Sequence, residues 1–325
     1  MFKQLIRTIA LLAFILGAIA AGSIYFGATH WRSQNATDVE IIQGSSAQKI
    51  GLQLAEKGVI RTPKLFEIIV RIKGLGGRLR AGVYEFEAGT NLMSAIGKLE
   101  RGEVRQYPFT VVEGWTINDI AASLAGQQFN NFPNSGKEFI RLANDQKLEG
   151  YLFPDTYYVT KPIVVSDLIR RLVEKFRAVW ASLDKAAIEA SNMNQSQIVT
   201  LASIVEKETG ASEERAIIAS VFFNRLKIGM PLQSDPTIIY GLPNFNGNIR
   251  KKDITNPHSY NTYVHAGLPP GPICNPGKAS LDAVLHPANT DFLYFVSKND
   301  GTHVFSKTGA EHAENVRKYQ INLAK

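Results

Sequence analysis

The 325-residue sequence predicts an α+β protein made of an N-terminal transmembrane helix, a small α+β module and a larger α+β domain. Three observations favour this class. An uncharged apolar run near the start is long enough to cross a bilayer. Short helical and strand-like patterns then alternate, and from about residue 150 longer amphipathic helices replace them. With 45% hydrophobic and 20% charged residues, the chain has a globular rather than a disordered composition.

Residues 8–28, "TIALLAFILGAIAAGSIYFGA", predict the membrane anchor, because about 20 apolar residues span a bilayer. Lys3 and Arg7 lie in the short segment 1–7, and positive charge there predicts a cytoplasmic N-terminus. The alternative is a cleaved signal peptide, since Ala18-Ile19-Ala20 resembles a small-residue cleavage site. The apolar run continues through Phe26, which favours an uncleaved anchor followed by an exported domain.

Residues 29–42 predict a polar linker, and residues 43–106 a small module. In this module Thr62 and Pro63 predict the start of a helix, and Thr90 is the expected cap of another. The elements expected here are helices within 45–60, 62–74 and 90–102, and a strand within 81–89.

The larger domain is predicted to cover residues 107–325, with its core from about residue 150. Ser212 is the expected N-cap of its third long helix. Long loops between 230 and 277 are typical of a functional site. The elements expected in order are a strand within 105–114, helices within 116–126, 166–183, 195–209 and 212–229, a hairpin within 292–306, and a final helix after 309.

Composition excludes several classes of protein. The net charge of +7 is dispersed and no nucleic-acid motif is present, so it indicates affinity for an acidic surface or polymer and no nucleic-acid partner. Cys274 is the only cysteine, which excludes an intramolecular disulfide. The histidines of the C-terminal part form no close ligand pair, so neither a metal site nor a cofactor is predicted.

The segment "LASIVEKETG" carries two carboxylates, Glu206 and Glu208, in one predicted helix. At about 100° per residue, Glu208 continues the apolar stripe of Ile204 and Val205, whereas Glu206 projects to a rim near the solvent boundary. A carboxyl on an apolar face is desolvated, which raises its pKa and suits a general acid. The alternative is that the stripe frays at the helix end and Glu208 is solvated.

Two loops carry groups that suit a sugar ligand. "LQSDP" contributes Gln233 and Asp235, and "SYNTY" contributes Tyr260, Asn261 and Tyr263, which offer aromatic faces with amide and carboxylate groups. Ordinary turn chemistry explains the same residues equally well, because Asn and Asp cap turns and Asp-Pro begins them.

Two alternative classes of protein would use other residues of this sequence. A serine acyltransferase of the D,D-peptidase type would use Ser182 with Lys185, Ser297, and Lys307-Thr308-Gly309, but the spacing of these motifs fails. A non-enzymatic peptidoglycan-binding protein would use the loops as a binding face only.

Five stretches together are specific: "EGYLFPDTY", "LASIVEKETG", "VFFNRLKIGMPLQSDPTIIYG", "SYNTYVHAGLPPGPICNPG" and "LHPANTDFLYFV". They resemble the MltG (YceG-like) family of endolytic murein transglycosylases over nearly the whole chain. The resemblance implies that the small module is LysM-like, and that the anchor lies in a bacterial inner membrane with the catalytic domain in the periplasm. In the family's E-K-E-T motif the second glutamate is catalytic, which is Glu208 here.

The resemblance also implies the chemistry. The β-1,4 bond between N-acetylmuramic acid and N-acetylglucosamine would be cleaved without water or cofactor, leaving a 1,6-anhydro end. Asp235 or Glu149 would ease positive charge at C1, and Gln233, Tyr260, Asn261 and Tyr263 would hold the sugars. The implied partners are peptidoglycan glycan strands and, through nascent strands, peptidoglycan synthases.

Overall fold

The structure of the protein is a computed structural model, and it describes residues 2–126, 134–161, 163–243 and 245–321. The chain divides into two compact units. The first comprises Met1–Pro108 with Tyr158–Pro162, and the second comprises Phe109–Tyr157 with Ile163–Lys325. Both are mixtures of helices with two-stranded sheets, as the sequence predicts.

The first unit begins with a long apolar helix. The stretch Ile6–Gly27 is long and apolar enough to cross a membrane, and it is the one such stretch among the described residues. The elements of this unit are α1 (Phe2–His30), β1 (Thr37–Ile41), α2 (Ala47–Glu56), α3 (Pro63–Ile72), β2 (Gly82–Phe86) and α4 (Leu92–Arg101).

Strand β1 lies in the segment predicted as a polar linker, and it pairs antiparallel with β2 from Thr37 opposite Phe86 to Ile41 opposite Gly82. The linker prediction is wrong here because a short strand with one polar face is as hydrophilic as a linker. Its inward residues Val39 and Ile41 are buried against α2, α3 and α4.

Two helix starts in the first unit test the predicted caps. Thr62 is the N-cap of α3 and Pro63 its first residue, as predicted. The N-cap of α4 is Asn91, not Thr90: Asn91 accepts the backbone N–H of Ser94, while Thr90 donates its hydroxyl to the carbonyl of Glu87.

The second unit holds the helices around the predicted loops. Strands β3 (Tyr107–Thr110) and β4 (Thr156–Val159) pair, and the boundary between the units crosses both. The remaining elements are α5 (Ile117–Leu124), α6 (Ser135–Asp145), α7 (Val165–Ala181), α8 (Lys185–Ala190), α9 (Gln195–Glu208), α10 (Arg215–Lys227), α11 (Asp235–Gly241), α12 (Lys251–Ile254), α13 (Lys278–Leu285), β5 (Tyr294–Ser297), β6 (His303–Ser306) and α14 (Gly309–Val316).

Helix α9 is the centre of the second core. All eight residues from 198 to 205 are buried, against α10, α11 and α13. The predicted hairpin is confirmed, with Tyr294 opposite Ser306 in an antiparallel pair. Ser212 is not an N-cap; it begins a 3-10 turn, Ser212–Glu214, that leads into α10. Helices α11 and α12 occupy part of the region predicted as loops, because the Pro and Gly residues around them hide their short periodic patterns.

Candidate active site

Glu208 is the last residue of helix α9, which therefore determines its position in the site. The start of α9 is fixed by a capping box, in which Asn194 accepts the backbone N–H of Gln197 and Gln197 accepts that of Asn194. Its end is fixed by Thr209, whose backbone N–H and hydroxyl both donate to the carbonyl of Val205. Glu208 is partly exposed, so the carboxyl lies where the buried helix meets solvent.

The Glu208 carboxylate accepts a 2.6 Å hydrogen bond from the hydroxyl of Ser234. Ser234 is 1% exposed and its backbone N–H donates to the hydroxyl oxygen of Thr262. Thr237 shares a hydrogen bond with the same Thr262 hydroxyl and donates to the carbonyl of Ser234. Two loops distant in sequence therefore lock the donor that orients Glu208.

Burial raises the pKa of Glu208 from its ordinary 4.5 to about 7. The Ser234 hydrogen bond opposes this shift, the negative charge of Asp235 adds to it, and the guanidinium of Arg225 opposes it weakly. The carboxyl is thus close to half-protonated at neutral pH, which is the state required of a group that first donates and then accepts a proton.

Asp235 follows Ser234 as the first residue of α11 and is exposed. The hydroxyl of Tyr263 donates to its Oδ1 at 2.7 Å. Burial and this bond raise the pKa of Tyr263, so the phenol stays protonated. Gln233 is also exposed and adopts a φ of 49°, with its backbone N–H donated to the carbonyl of Thr262. Gln233, Asp235 and Tyr263 therefore lie together around Glu208.

Arg225 is a buried cation close to Glu208 and Tyr263. It is 6% exposed, and its guanidinium donates to the carbonyls of Leu293 at 2.6 Å and Leu232 at 2.5 Å. It also lies 5.3 Å from the ring centre of Tyr294. No sequence pattern predicts this role, because arginines in an amphipathic helix are ordinarily expected on its exposed face.

The turn after Glu208 is covered by the β5–β6 hairpin. A methyl group on Gly210 would lie 2.5 Å from the carbonyl oxygen of Gly301, so only glycine fits. Nearby, the Glu214 carboxylate accepts the backbone N–H of His303 at 3.0 Å and contacts its ring Nδ1 at 2.7 Å. The hairpin therefore packs closely on this turn at Gly210 and is hydrogen-bonded to Glu214 just after it.

Glu206 is partly exposed, as its rim position predicts, but its carboxylate is held by internal contacts. Its side chain is 8% exposed, accepts the backbone N–H of Gly277 at 2.9 Å and lies 3.6 Å from the guanidinium of Arg215. Burial and the charge of Glu206 raise the pKa of the neighbouring Glu113. The prediction did not include these contacts, because their partners come from other segments of the chain.

Glu149 belongs to a different polar cluster. Its carboxylate accepts the backbone N–H of Ile117, the side-chain amide of Asn275 and the hydroxyl of Tyr240, each at 3.2 Å. Burial raises its pKa to about 7, while the Ile117 N–H and the Tyr240 hydroxyl lower it. Among the described residues no hydrogen bond joins this cluster to Glu208.

Asn275 organises that second cluster and was missed by the sequence reasoning. It is fully buried, its amide donates to Trp115 O at 2.9 Å, and its Oδ1 accepts the backbone N–H of Leu152 at 2.9 Å. Its position in "CNPG" was a signal in the sequence, but that short motif did not indicate what the side chain does. Tyr260 packs on Tyr240, with ring centres 4.9 Å apart, at the edge of this cluster.

Asn261 is not placed to hold a sugar. Its side chain is fully buried, and its amide donates to the carbonyls of Asp253, Ile254 and Asn256 at 3.3, 2.9 and 2.8 Å. The turn interpretation of "SYNTY" is therefore correct for this residue. Tyr260 and Tyr263 remain partly exposed.

The serine motifs do not assemble. Ser182 caps the end of α7 and donates its hydroxyl to the carbonyl of Val179. Ser297 accepts the backbone N–H of Asn299, and Lys307 pairs with Asp291 at 3.1 Å. Within the described ranges, no three His, Cys, Asp or Glu side chains converge as metal ligands would.

Comparison with known proteins matches the chain to one family. The YceG-like family model matches residues 39–318. A Bacillus subtilis (strain 168) protein named endolytic murein transglycosylase is 33% identical, over 93% of this chain and 90% of its own. A Streptococcus pneumoniae serotype 2 protein of the same name is 28% identical, over 88% of this chain and 59% of its own.

A solved structure gives the same result. The crystal structure of a yceG-like protein from Listeria monocytogenes superposes with a TM-score of 0.57 at 30% identity, covering 86% of this chain and 98% of that one. The residues that match the family model, 39–318, include the cluster around Glu208. The chain therefore belongs to the YceG-like family.

Proposed function

We propose that this protein is an endolytic lytic transglycosylase that cleaves the glycan strands of peptidoglycan. The relatives that share this family and most of this chain carry that name. The single observation that supports the chemistry is the environment of Glu208, whose carboxyl is hydrogen-bonded by a buried serine and has a pKa of about 7.

Glu208 acts first as the acid and then as the base. Protonated, it donates to the oxygen of the β-1,4 bond between N-acetylmuramic acid and N-acetylglucosamine, and the bond to C1 breaks. The carboxylate that results accepts the proton of the muramic C6 hydroxyl, whose oxygen bonds to C1. The product is a 1,6-anhydro end, no water is consumed, and the second catalytic carboxylate of a hydrolase is not required.

Asp235 stabilises the positive charge that develops at C1. It is exposed, it is close enough to raise the pKa of Glu208, and Tyr263 orients it. Glu149 is less suited, because three donors already hold its carboxylate in another cluster. Gln233, Tyr260 and Tyr263 contact the sugars, and cleavage of nascent strands would end their elongation.

The first unit serves as a LysM-like module that holds the same polymer. A groove of about 600 Å³ lies between the β1–α2 and α3–β2 connections, lined by residues 41–46 and 76–81. The hydroxyl of Ser45 is buried without a hydrogen-bond partner among the described residues, and a sugar hydroxyl could supply one.

Helix α1 anchors the protein in the bacterial inner membrane, with the N-terminus cytoplasmic and the second unit periplasmic beside peptidoglycan synthases. The length and hydropathy of Ile6–Gly27 support the anchor, and Lys3 and Arg7 support the orientation. The protein should stay with membranes through a carbonate wash. Release of a shortened soluble form would favour the signal peptide instead.

The test of function is mass spectrometry of glycan strands treated with the purified protein. Anhydro-ended products are expected from the wild type and not from Glu208→Gln. Reducing ends would indicate a hydrolase, altered peptides a peptidase, and unchanged strands a binding protein.

A further inference from the structure

A cavity of about 210 Å³ lies in the second unit where α11 ends. Described residues of the connection between α11 and α12 line it together with residues of α12. We call it the basic pocket, and its lining includes Phe245, Asn246, Asn248, Arg250, Lys252 and Asp253. It combines two cations with two amides and an aromatic ring, and no step of the proposed reaction uses it.

The basic pocket keeps a net positive charge, because its two cations outweigh the one carboxylate in its lining. Arg250, Lys251 and Lys252 are consecutive and exposed, and in the described part of the chain none of them forms a salt bridge. The carboxylate of Asp253 is occupied by the backbone N–H of Arg250 at 2.8 Å. Three cations therefore face solvent beside one engaged carboxylate.

The basic pocket is held in a fixed relation to Glu208. Asn261 is fully buried and ties α12 to the Tyr260–Tyr263 loop through three hydrogen bonds. The next residue, Thr262, binds the backbone of Gln233 and Ser234. Helix α11 joins the two places directly, and its seven residues span about 10 Å. A polymer lying across Glu208 can therefore reach the pocket.

A glycan strand offers two kinds of anion. In the intact strand the lactyl carboxyl of each N-acetylmuramic acid is bound in an amide to its stem peptide, so the charge resides on the carboxylates of the stem peptides and on the diphosphate of a lipid-linked end. Arginine and lysine beside amide donors suit either group, because charge-assisted hydrogen bonds to such anions are strong.

We propose that the basic pocket binds an anionic substituent of the strand being cleaved, a stem-peptide carboxylate or the diphosphate of a lipid-linked end. The inference rests on the proposed function and deepens it, since it adds a charge requirement to the substrate. It also assigns Asn261 a positioning role in place of sugar binding.

The experiment compares the wild type with Arg250→Gln/Lys252→Gln on three substrates. These are strands with stem peptides, the same strands stripped by an amidase with the freed lactyl carboxylates then blocked as amides, and lipid-linked strands stripped and blocked in the same way. Lys185→Gln/Lys227→Gln removes two exposed lysines elsewhere in the second unit and serves as the charge-matched control. Anhydro ends are counted by mass spectrometry at low and high salt, and melting temperature reports folding.

The pocket variant should show a KM raised about threefold to tenfold on an anionic substrate, with kcat unchanged, as expected for the loss of two partly exposed ion pairs. High salt should reduce the difference. An effect confined to stem-bearing strands assigns the carboxylate, and one confined to lipid-linked strands assigns the diphosphate. An equal effect on all three substrates, or none on any, overturns the inference. Absence of anhydro ends from every substrate refutes the proposed function itself.

Discussion

Replacing Glu208 with glutamine should abolish activity and yet stabilise the protein above neutral pH. The folded protein raises the pKa of Glu208 from 4.5 to about 7. Each pKa unit corresponds to about 1.4 kcal/mol, so ionising this group in the folded state costs about 3 kcal/mol. An amide has the same shape, still accepts the Ser234 hydroxyl and never ionises.

The sign of the pH dependence follows from proton binding. Between pH 4.5 and 7 the folded protein holds a proton on Glu208 that the unfolded chain has lost, so the free energy of unfolding falls as pH rises through this window. Below pH 4 Glu208 is protonated in both the folded and the unfolded chain, so its ionisation should cause no difference in stability between the variant and the wild type. At pH 8 Glu208→Gln should be more stable by about 3 kcal/mol.

Urea unfolding of both proteins across pH 4 to 8 measures the difference, and anhydro-end release measures activity. General acid–base catalysis is worth about 10²–10⁴-fold, and a residue that serves both steps should lose at least the upper value. A stability difference that does not change with pH would refute the buried-carboxyl reasoning. Substantial residual activity would refute the assignment of Glu208.

Glu206→Gln is the matched control, and its effect on stability should have the opposite sign. It leaves the guanidinium of Arg215 without its buried partner, although Glu113 remains close. We expect a loss of about 1–3 kcal/mol, below the full cost of breaking a buried ion pair. Activity of the folded fraction should fall less than tenfold. If instead Glu206→Gln is folded and inactive, the roles of the two acids are reversed.

Three further substitutions test the surroundings. Ser234→Ala should raise the pKa of Glu208 further and move the alkaline limb of kcat/KM upward by about one pH unit; an unmoved limb would mean that the hydrogen bond is not formed in solution. Asn275→Ala leaves the buried N–H of Leu152 without an acceptor and should cost about 2–4 kcal/mol in urea unfolding, whereas a neutral result would mean that water replaces it. Gly210→Ala forces a methyl group against the hairpin carbonyl and should lower stability by about 1–3 kcal/mol, unless the hairpin shifts and the melting temperature stays unchanged.

Helical periodicity was sufficient to predict that Glu208 is desolvated, because a carboxyl that follows Ile204 and Val205 on one face continues toward the same core. It was insufficient for Glu206. The apolar-stripe argument assumes a solvent side, and α9 has none between Ile198 and Val205. The partners of Glu206, such as Arg215 and Gly277, come from other segments of the chain, and no local sequence pattern predicts them.

The loop residues divide in the same way. "LQSDP" and "SYNTY" identify the segments that surround Glu208, because long polar loops with aromatic residues are unusual inside a compact domain. They do not show which side chains point outward. Asn261 and Asp235 have similar chemistry, yet one is fully buried beneath α12 and the other is exposed. That distinction depends on tertiary contacts.

The cover over the turn after Glu208 has a consequence for when the enzyme becomes active. Gly210 contacts Gly301, and Glu214 binds His303, so this turn depends on residues about ninety positions later in the chain. Such non-local contacts form late in folding. A polypeptide still being synthesised would carry Glu208 on an unsupported helix end, and cleavage of glycan strands would begin only once the C-terminal hairpin had been made and had docked.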